Sequence, residues 1–179
     1  MVQTGGVEPE VCGAGRRLVI VCGLPGAGKT TLAQRIESDY AAVRMCPDEW
    51  MACLGIDIFD EASRAGIEHL QWDLTQQLLK LDVPVVIEWG TWARDERDRL
   101  RQRARALGAA VELRFLDAPL AVLWQRLCDR GMERQAGHRA LTRSDVETYA
   151  GSLERPSEEE LALFDPPLCR TNQVVEASS

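Results

Sequence analysis

The sequence is poor in lysine and histidine, and it has no long apolar run. Only two of its 179 residues are lysine, arginine supplies 19 of the 21 basic residues, and the formal net charge is −7. This charge argues against a broad basic surface for nucleic acid, while leaving room for a local basic pocket. No apolar run approaches the roughly 18 residues that a membrane-spanning helix needs. We therefore expect a single cytoplasmic domain, with neither membrane nor nucleic acid as a partner.

Cysteine pairs at metal-ligand spacing are also absent. The six cysteines form no Cys-x-x-Cys pair, and none stands at zinc-ligand spacing from the two histidines. Free thiols in a reducing compartment are therefore the expected state. His69 has no partner in the pattern and is predicted to be a surface or structural residue.

Strand and helix patterns alternate along the chain after a leader over residues 1–16. Strands are predicted over 17–23, 41–46, 83–90, 110–117 and, weakly, 172–176. Helices are predicted over 29–38, 61–81, 93–107 and 118–131, with a lid over 131–142 and two short helices after it. In the helix over 61–81, an apolar stripe is predicted to face the core; its members are Ile67, Leu70, Leu74, Leu78 and Leu81. This alternation predicts a parallel sheet covered by helices on both faces, with the site at the carboxyl ends of the strands.

A glycine-rich segment, "GLPGAGKTT", joins the first strand to the first helix. It fits G-x-x-x-x-G-K-[ST] at every fixed position, so its main-chain N–H groups are predicted to surround phosphate oxygens. The lysine would reach the terminal phosphates, and the first threonine would hold Mg²⁺. The predicted nucleotide-binding residues of this segment are Gly23, Gly26, Ala27, Gly28, Lys29, Thr30 and Thr31.

Carboxylates follow the second and third strands. Asp48 is the candidate for the group that accepts the proton of an attacking hydroxyl, with Glu49 as a weaker candidate. Glu88 stands where a carboxylate usually serves Mg²⁺, and it could instead reach substrate, so the two roles could be exchanged. The structural alternatives are a helix N-cap for Asp48 and a buried hydrogen bond for Glu88. Asp117, after the fourth strand, is predicted to be a helix N-cap.

Aromatic and basic residues surround the same strand ends. Trp89, Thr91 and Trp92 could line an acceptor pocket, joined by Trp50 and Trp72, or could pack in the core. Arg94 and Arg97 open the following helix and are predicted to face substrate, whereas Arg101 and Arg105 lie further along and are predicted surface charges. In the helix over 118–131 and the lid, the arginines predicted to approach phosphates are Arg126, Arg130, Arg134 and Arg139.

The chain resembles the small P-loop kinases, an AAA-type ATP-binding group. The group includes nucleotide kinases, polynucleotide 5′-hydroxyl kinases, zeta-toxin-like enzymes and chloramphenicol phosphotransferase-like antibiotic kinases. The resemblance spans about residues 17–175 and rests on "GLPGAGKTT", "CPDEW" and "LDAPLAVLWQRLCDR". It implies a three-layer α/β fold with sheet order 2-3-1-4-5 and a short helical lid. It also implies that Arg126 lies near the base and that Arg130 and Arg134 lie near the phosphates.

Transfer of the γ-phosphate of ATP or GTP, with Mg²⁺, to a hydroxyl of a small molecule is therefore the expected function, and an antibiotic is one possible acceptor. A polynucleotide 5′-hydroxyl or nucleotide kinase is the first alternative. An NTP-hydrolysing switch or regulatory nucleotide-binding module is the second. The pattern does not decide the acceptor, the base of the nucleotide or the oligomeric state.

Overall fold

Four parallel strands form the sheet in the part of the chain that the structure describes. The structure is a computed structural model that describes residues 15–131 and 141–168. The strands are β1 (Arg17–Gly23), β2 (Val43–Met45), β3 (Val85–Ile87) and β4 (Ala110–Leu116), in the order β2-β3-β1-β4. Leu18 pairs with Val85 on one side and with Val111 on the other, and all pairings are parallel. The predicted parallel sheet is confirmed; the strand predicted over 172–176 lies outside the described residues.

Seven helices are present in the described ranges. They are α1 (Lys29–Tyr40), α2 (Pro47–Leu54), α3 (Glu61–Lys80), α4 (Arg94–Ala106), α5 (Leu120–Asp129), α6 (Arg143–Ser152) and α7 (Glu158–Leu161). None of them combines the length and the apolar character needed to cross a bilayer. Most of the predicted leader and most of the predicted lid fall outside the described residues.

Alternate residues of the central strands pack against helices on opposite faces of the sheet. Val19 and Val21 of β1 pack against α1, in a cluster with Ala33 and Ile36. Leu18 and Ile20, which point to the other face, belong to a cluster with residues of α3 and α4. A third cluster joins the end of β1 to α5 and α6. Because both faces are covered, the central strands β1 and β3 are apolar over residues 18–22 and 85–87, as parallel strands usually are.

The sequence analysis offered a helix here only as an alternative, with Asp48 as its N-cap, and the structure has α2 begin earlier, at Pro47. Proline at the first helical position loses no helical hydrogen bond, because the first N–H groups of a helix have no partner within it. Asp48 and Glu49 then favour the positive end of this helix. The helix ends at Gly55, whose φ of 68° is left-handed.

The predicted apolar stripe of α3 is wrong in part. Ile67 is buried, but Leu70 and Leu81 are 60% and 73% exposed. The fully buried positions include two polar residues, Gln71 and Thr75. Burial follows contact with the sheet and α4 here, so polar side chains lie where an apolar period alone would place leucines.

Candidate active site

The phosphate loop runs from the end of β1 to the first turn of α1. Gly26 has a φ of 80°, and a Cβ there would lie 2.7 Å from the carbonyl oxygen of Leu123 in α5. Gly28 is the N-cap of α1, with a φ of 99°, and a Cβ there would meet no atom within 4 Å. Glycine therefore allows close packing on one side of the loop and leaves open space above the helix N-terminus, where a phosphate group fits.

Lys29 is the first residue of α1 and lies on the wall of a large cavity. Its Nζ donates a hydrogen bond to the carbonyl of Leu24 at 3.1 Å. Burial lowers the pKa of the Lys29 ammonium, while the negative charges of Glu88 and Asp48 act in the opposite direction. An ammonium held by a single backbone carbonyl retains two donors for an anion.

Thr30 and Glu88 contact each other across the sheet. The Thr30 hydroxyl donates a hydrogen bond to Glu88 Oε1. Arg44 of β2 binds the other oxygen, Glu88 Oε2, at 3.0 Å, and also binds Glu37 and Glu49. Arg44 thus fixes the orientation of Glu88 beside the loop. Sequence reasoning missed Arg44, although a basic residue in a short strand just before the acidic start of α2 was a usable signal.

The side-chain oxygens of Thr30 and Glu88 are chemically suited to bind Mg²⁺. A hydroxyl and a carboxylate are the hard oxygen ligands that Mg²⁺ prefers, and Mg²⁺ normally takes its remaining ligands from phosphate and water. Within the described ranges, no group of three or more His, Cys, Asp or Glu residues could hold a metal by itself. The residues present therefore fit a cation shared with a nucleotide.

Asp48 lies in the first turn of α2 and on the wall of the same cavity. Its side chain is 64% exposed and forms an ion pair with Arg64 of α3. Arg64 also donates to the carbonyl of Ile58 at 3.2 Å, which ties its guanidinium to the loop before α3. The alternative reading of Asp48 as an N-cap is wrong, because Cys46 occupies that position.

The cavity extends from Lys29 into the space between α3 and α4, with a volume of about 540 Å³. Its wall combines aromatic rings with acidic and basic side chains. A volume of this size accommodates a small organic molecule. The lining aromatic residues are Phe59, Trp89, Trp92 and Tyr149; the acidic ones are Asp48, Glu61, Glu68, Glu88 and Glu96; the basic ones are Lys29, Arg64, Arg99 and Arg103.

The loop after β3 serves both the cavity and the core. Trp89 is 8% exposed, and its Nε1 donates to Gln71 of α3 at 2.8 Å. The Trp92 ring lies 5.0 Å from that of Tyr149 in α6, centre to centre. Trp89, Thr91 and Trp92 all line the cavity. For Trp89 the two alternatives from the sequence, pocket wall and core packing, therefore hold together, whereas Trp50 and Trp72 pack in the core and do not line the cavity.

The prediction that Arg97 faces substrate is wrong. Its side chain is fully buried and pairs with Glu160 of α7 through two hydrogen bonds of 2.7 and 2.9 Å. It also donates to the carbonyls of Thr91 and Trp92. Arg97 therefore stabilises the backbone of the loop after β3 and does not line the cavity itself. Arg94 is exposed and outside the cavity wall, whereas Arg99 and Arg103, which the sequence analysis did not select, line it.

The predicted phosphate arginines of α5 lie at its end. Arg126 donates to the carbonyl of Gly26 at 3.4 Å, so it reaches the phosphate loop. Arg130 is the exposed C-cap of α5. Arg134 and Arg139 lie outside the described residues. Roles for these side chains, and for Ala27 and the exposed Thr31, stay predictions.

Asp117 is not a helix N-cap. Pro119 occupies that position in front of α5, and the Asp117 carboxylate instead pairs with Arg155 at 3.0 Å. The sequence analysis proposed a structural role by capping, and the structure replaces it with an ion pair after α6.

The phosphate loop after β1, the sheet order and the flanking helices define a P-loop NTPase fold. The sequence matches the AAA_33 family, described as an AAA domain, over residues 18–156, and the chain belongs to this family. A search of curated proteins found no significant match.

Solved structures with the same fold include several kinases. A gluconokinase from Sinorhizobium meliloti 1021 aligns with a TM-score of 0.54 at 23% identity, over 80% of this chain and 78% of its own. A sugar kinase from Janibacter sp. HTCC2649 aligns with a TM-score of 0.55 at 23% identity, over 80% of each chain. The Pnkp1/Rnl/Hen1 RNA repair complex contains a chain that aligns with a TM-score of 0.64 at 21% identity, over 83% of this chain and 46% of its own.

Proposed function

We propose that this protein is a kinase that transfers the γ-phosphate of ATP or GTP to a hydroxyl of a small molecule. The observation that carries the proposal is the cavity of about 540 Å³ that begins at Lys29 and has Asp48 and Glu88 on its wall. Hydrolysis by a switch requires space for water only, whereas this cavity offers room for a second substrate. The gluconokinase and the sugar kinase, whose names imply hydroxyl acceptors, have the same fold.

In the proposed reaction the acceptor oxygen forms a bond to the γ-phosphorus. The bond from that phosphorus to the β,γ-bridging oxygen breaks, and the nucleoside diphosphate leaves. Asp48 accepts the hydroxyl proton, and its ion pair with Arg64 holds its carboxylate on the cavity wall. Lys29 and the N–H groups of the loop bind the phosphate oxygens. Mg²⁺, held by Thr30 and Glu88, would neutralise charge on the β- and γ-phosphates.

The test begins with a panel of sugars, amino sugars, sugar acids, hydroxylated antibiotics and a 5′-hydroxyl oligonucleotide, with mass detection of the added phosphate. We expect consumption of ATP or GTP to rise sharply with one small-molecule class. Asp48→Asn is then expected to lower kcat by about 10²- to 10⁴-fold and to leave nucleotide affinity unchanged, because general base catalysis contributes an amount of this order.

Asp82→Asn is the matched control. Asp82 is exposed, lies before β3 at the opposite edge of the sheet, and has a φ of 58°, which asparagine also tolerates. Equal transfer rates for Asp48→Asn and the wild type would contradict the role of Asp48. Phosphorylation of the oligonucleotide alone would favour the polynucleotide kinase alternative, and hydrolysis that no acceptor accelerates would favour the switch.

A further inference from the structure

The basic side chains on the cavity wall all have partners. Arg64 pairs with Asp48, and the Lys29 ammonium binds a backbone carbonyl. Arg99 donates to the Asp95 carbonyl at 3.3 Å, and the Arg103 guanidinium lies 4.6 Å from the centre of the Trp72 ring. Each basic side chain of the wall thus has a partner within the protein, and Lys29 keeps two further donors for phosphate.

The acidic side chains of the wall are not all paired. Glu88 accepts hydrogen bonds from Thr30 and Arg44, and Glu96 accepts one from the N–H of Ala93 at 3.2 Å. Glu68, in the middle of α3, is half-buried and has no hydrogen bond or ion pair with any residue in the described ranges. Burial raises the pKa of the Glu68 carboxyl, the nearby charges of Glu96 and Asp48 raise it further, and Arg64 opposes them. A carboxylate in this situation is stabilised by a cation that enters the cavity.

Two independent features of the same wall favour a ligand that is both cationic and hydroxylated. Four aromatic rings line the cavity, and the faces of such rings attract ammonium groups. The side chain of Thr91 is 5% exposed, and its hydroxyl has no hydrogen-bond partner in the described part of the chain. A buried hydroxyl without a hydrogen-bond partner is uncommon. It suits a ligand whose polar group forms a hydrogen bond with the Thr91 hydroxyl.

We propose that the acceptor carries a primary ammonium that binds to Glu68, beside Glu96, so that the substrate class is an amino sugar or a similar aminated polyol. This inference rests on the proposed function and names the acceptor of that site. Arg64 stands one helical turn before Glu68 and is the residue that holds Asp48. The ammonium subsite therefore lies next to the predicted base, and a hydroxyl of the same small molecule can reach Asp48.

The first experiment measures binding, independently of phosphoryl transfer. Glucosamine, kanamycin, glucose and gluconate are titrated into the full chain with the non-hydrolysable analogue AMP-PNP and Mg²⁺, and heat or Tm is recorded. We expect the two amines to bind at least tenfold more tightly than glucose or gluconate. Glu68→Gln is expected to remove that preference, and Asp73→Asn, the same charge change at an exposed site on α3, is expected to keep it.

The second experiment measures transfer to the amine that binds best. Glu68→Gln should raise KM at least tenfold and change kcat less than threefold, because Glu68 holds the acceptor without contacting the reacting atoms. Equal or tighter binding of glucose or gluconate, no binding of any compound, or an unchanged KM in Glu68→Gln would overturn the inference. Amine binding that depends on Glu68 without any transfer would instead count against the proposed function and leave the ammonium subsite standing.

Discussion

Two acidic side chains of the same cavity have different surroundings. Asp48 and Glu68 line the same cavity, yet Asp48 has an arginine partner and Glu68 has none among the described residues. Asp48 is therefore held in place by Arg64 for its proposed role as base, while Glu68 is available to a ligand cation. Two acids with different surroundings can take different roles in one site.

The surroundings of Glu68 predict a pH-dependent effect on stability. Its folded-state pKa is raised, so the folded protein binds this proton more tightly than the unfolded chain does, and stability is lost as pH rises through the folded pKa. Glu68→Gln removes the charge and is expected to raise the Tm at pH 8 by about 1–2 °C, a modest value because the side chain is partly exposed. The gain should fall towards zero near pH 4.

Thermal unfolding of the wild type and Glu68→Gln across this pH range, without ligand, is the measurement. The charges to consider around Glu68 are Asp48, Arg64 and Glu96, with Arg99 and Arg103 also on the wall. A Tm difference that grows on acidification would contradict the raised pKa.

At the scale of elements, the turns that end the helices decide where the strands begin. Ala41 follows α1 and has a φ of 49°, in the left-handed region that non-glycine residues adopt only at a cost. Its N–H donates to the carbonyl of Glu37 in a typical helix C-cap arrangement. The chain then enters β2 after one further residue, so this cap aligns Arg44 and Asp48 with the phosphate loop.

Ala41→Gly is expected to stabilise the protein by about 0.5–1 kcal/mol, because glycine adopts positive φ without the steric cost of a Cβ. Ala65→Gly, at an exposed position inside α3, is the matched control and is expected to destabilise by about 1 kcal/mol. Urea unfolding of the two variants gives the comparison. A loss of stability in Ala41→Gly would show that the left-handed turn carries no strain.

At the scale of the whole molecule, one buried ion pair connects parts of the chain that lie far apart in sequence. Arg97 and Glu160 are fully or almost fully buried, and Arg97 also holds the carbonyls of Thr91 and Trp92. The C-terminal part of the chain thereby supports the loop that forms one wall of the cavity. Stability and the shape of the cavity are coupled through this pair.

Glu160→Gln should lower stability by about 3 kcal/mol or more, since it leaves the Arg97 charge buried and unpaired. The Tm should fall by about 6–12 °C for a chain of this size. Glu159→Gln, at an exposed neighbour, should have little effect. Calorimetry tests both variants, and similar Tm values for Glu160→Gln and the wild type would show that the pair is not required.

Local patterns in the sequence were sufficient for the architecture and for the phosphate loop. Strand β1 and the loop after it follow from an uninterrupted apolar run and from glycines at set spacing, and both are properties of neighbouring residues. The start of helix α2 was placed too late, after Asp48, because proline signals both the end of a strand and the start of a helix. The stripe of α3 was partly wrong because burial depends on which neighbouring elements the helix meets.

The sequence by itself determined a parallel α/β sheet, a loop for phosphate and acids at the ends of two strands, because each depends on short-range order along the chain. Only the tertiary structure decided which charges are paired. Arg97 was assigned to substrate from its place in a helix, and its contact with Glu160, 63 residues away, shows a supporting role instead. Likewise Glu68 acquires its unpaired state and its cavity only when α3 packs beside α4, since burial and the identity of neighbours exist only in the folded chain.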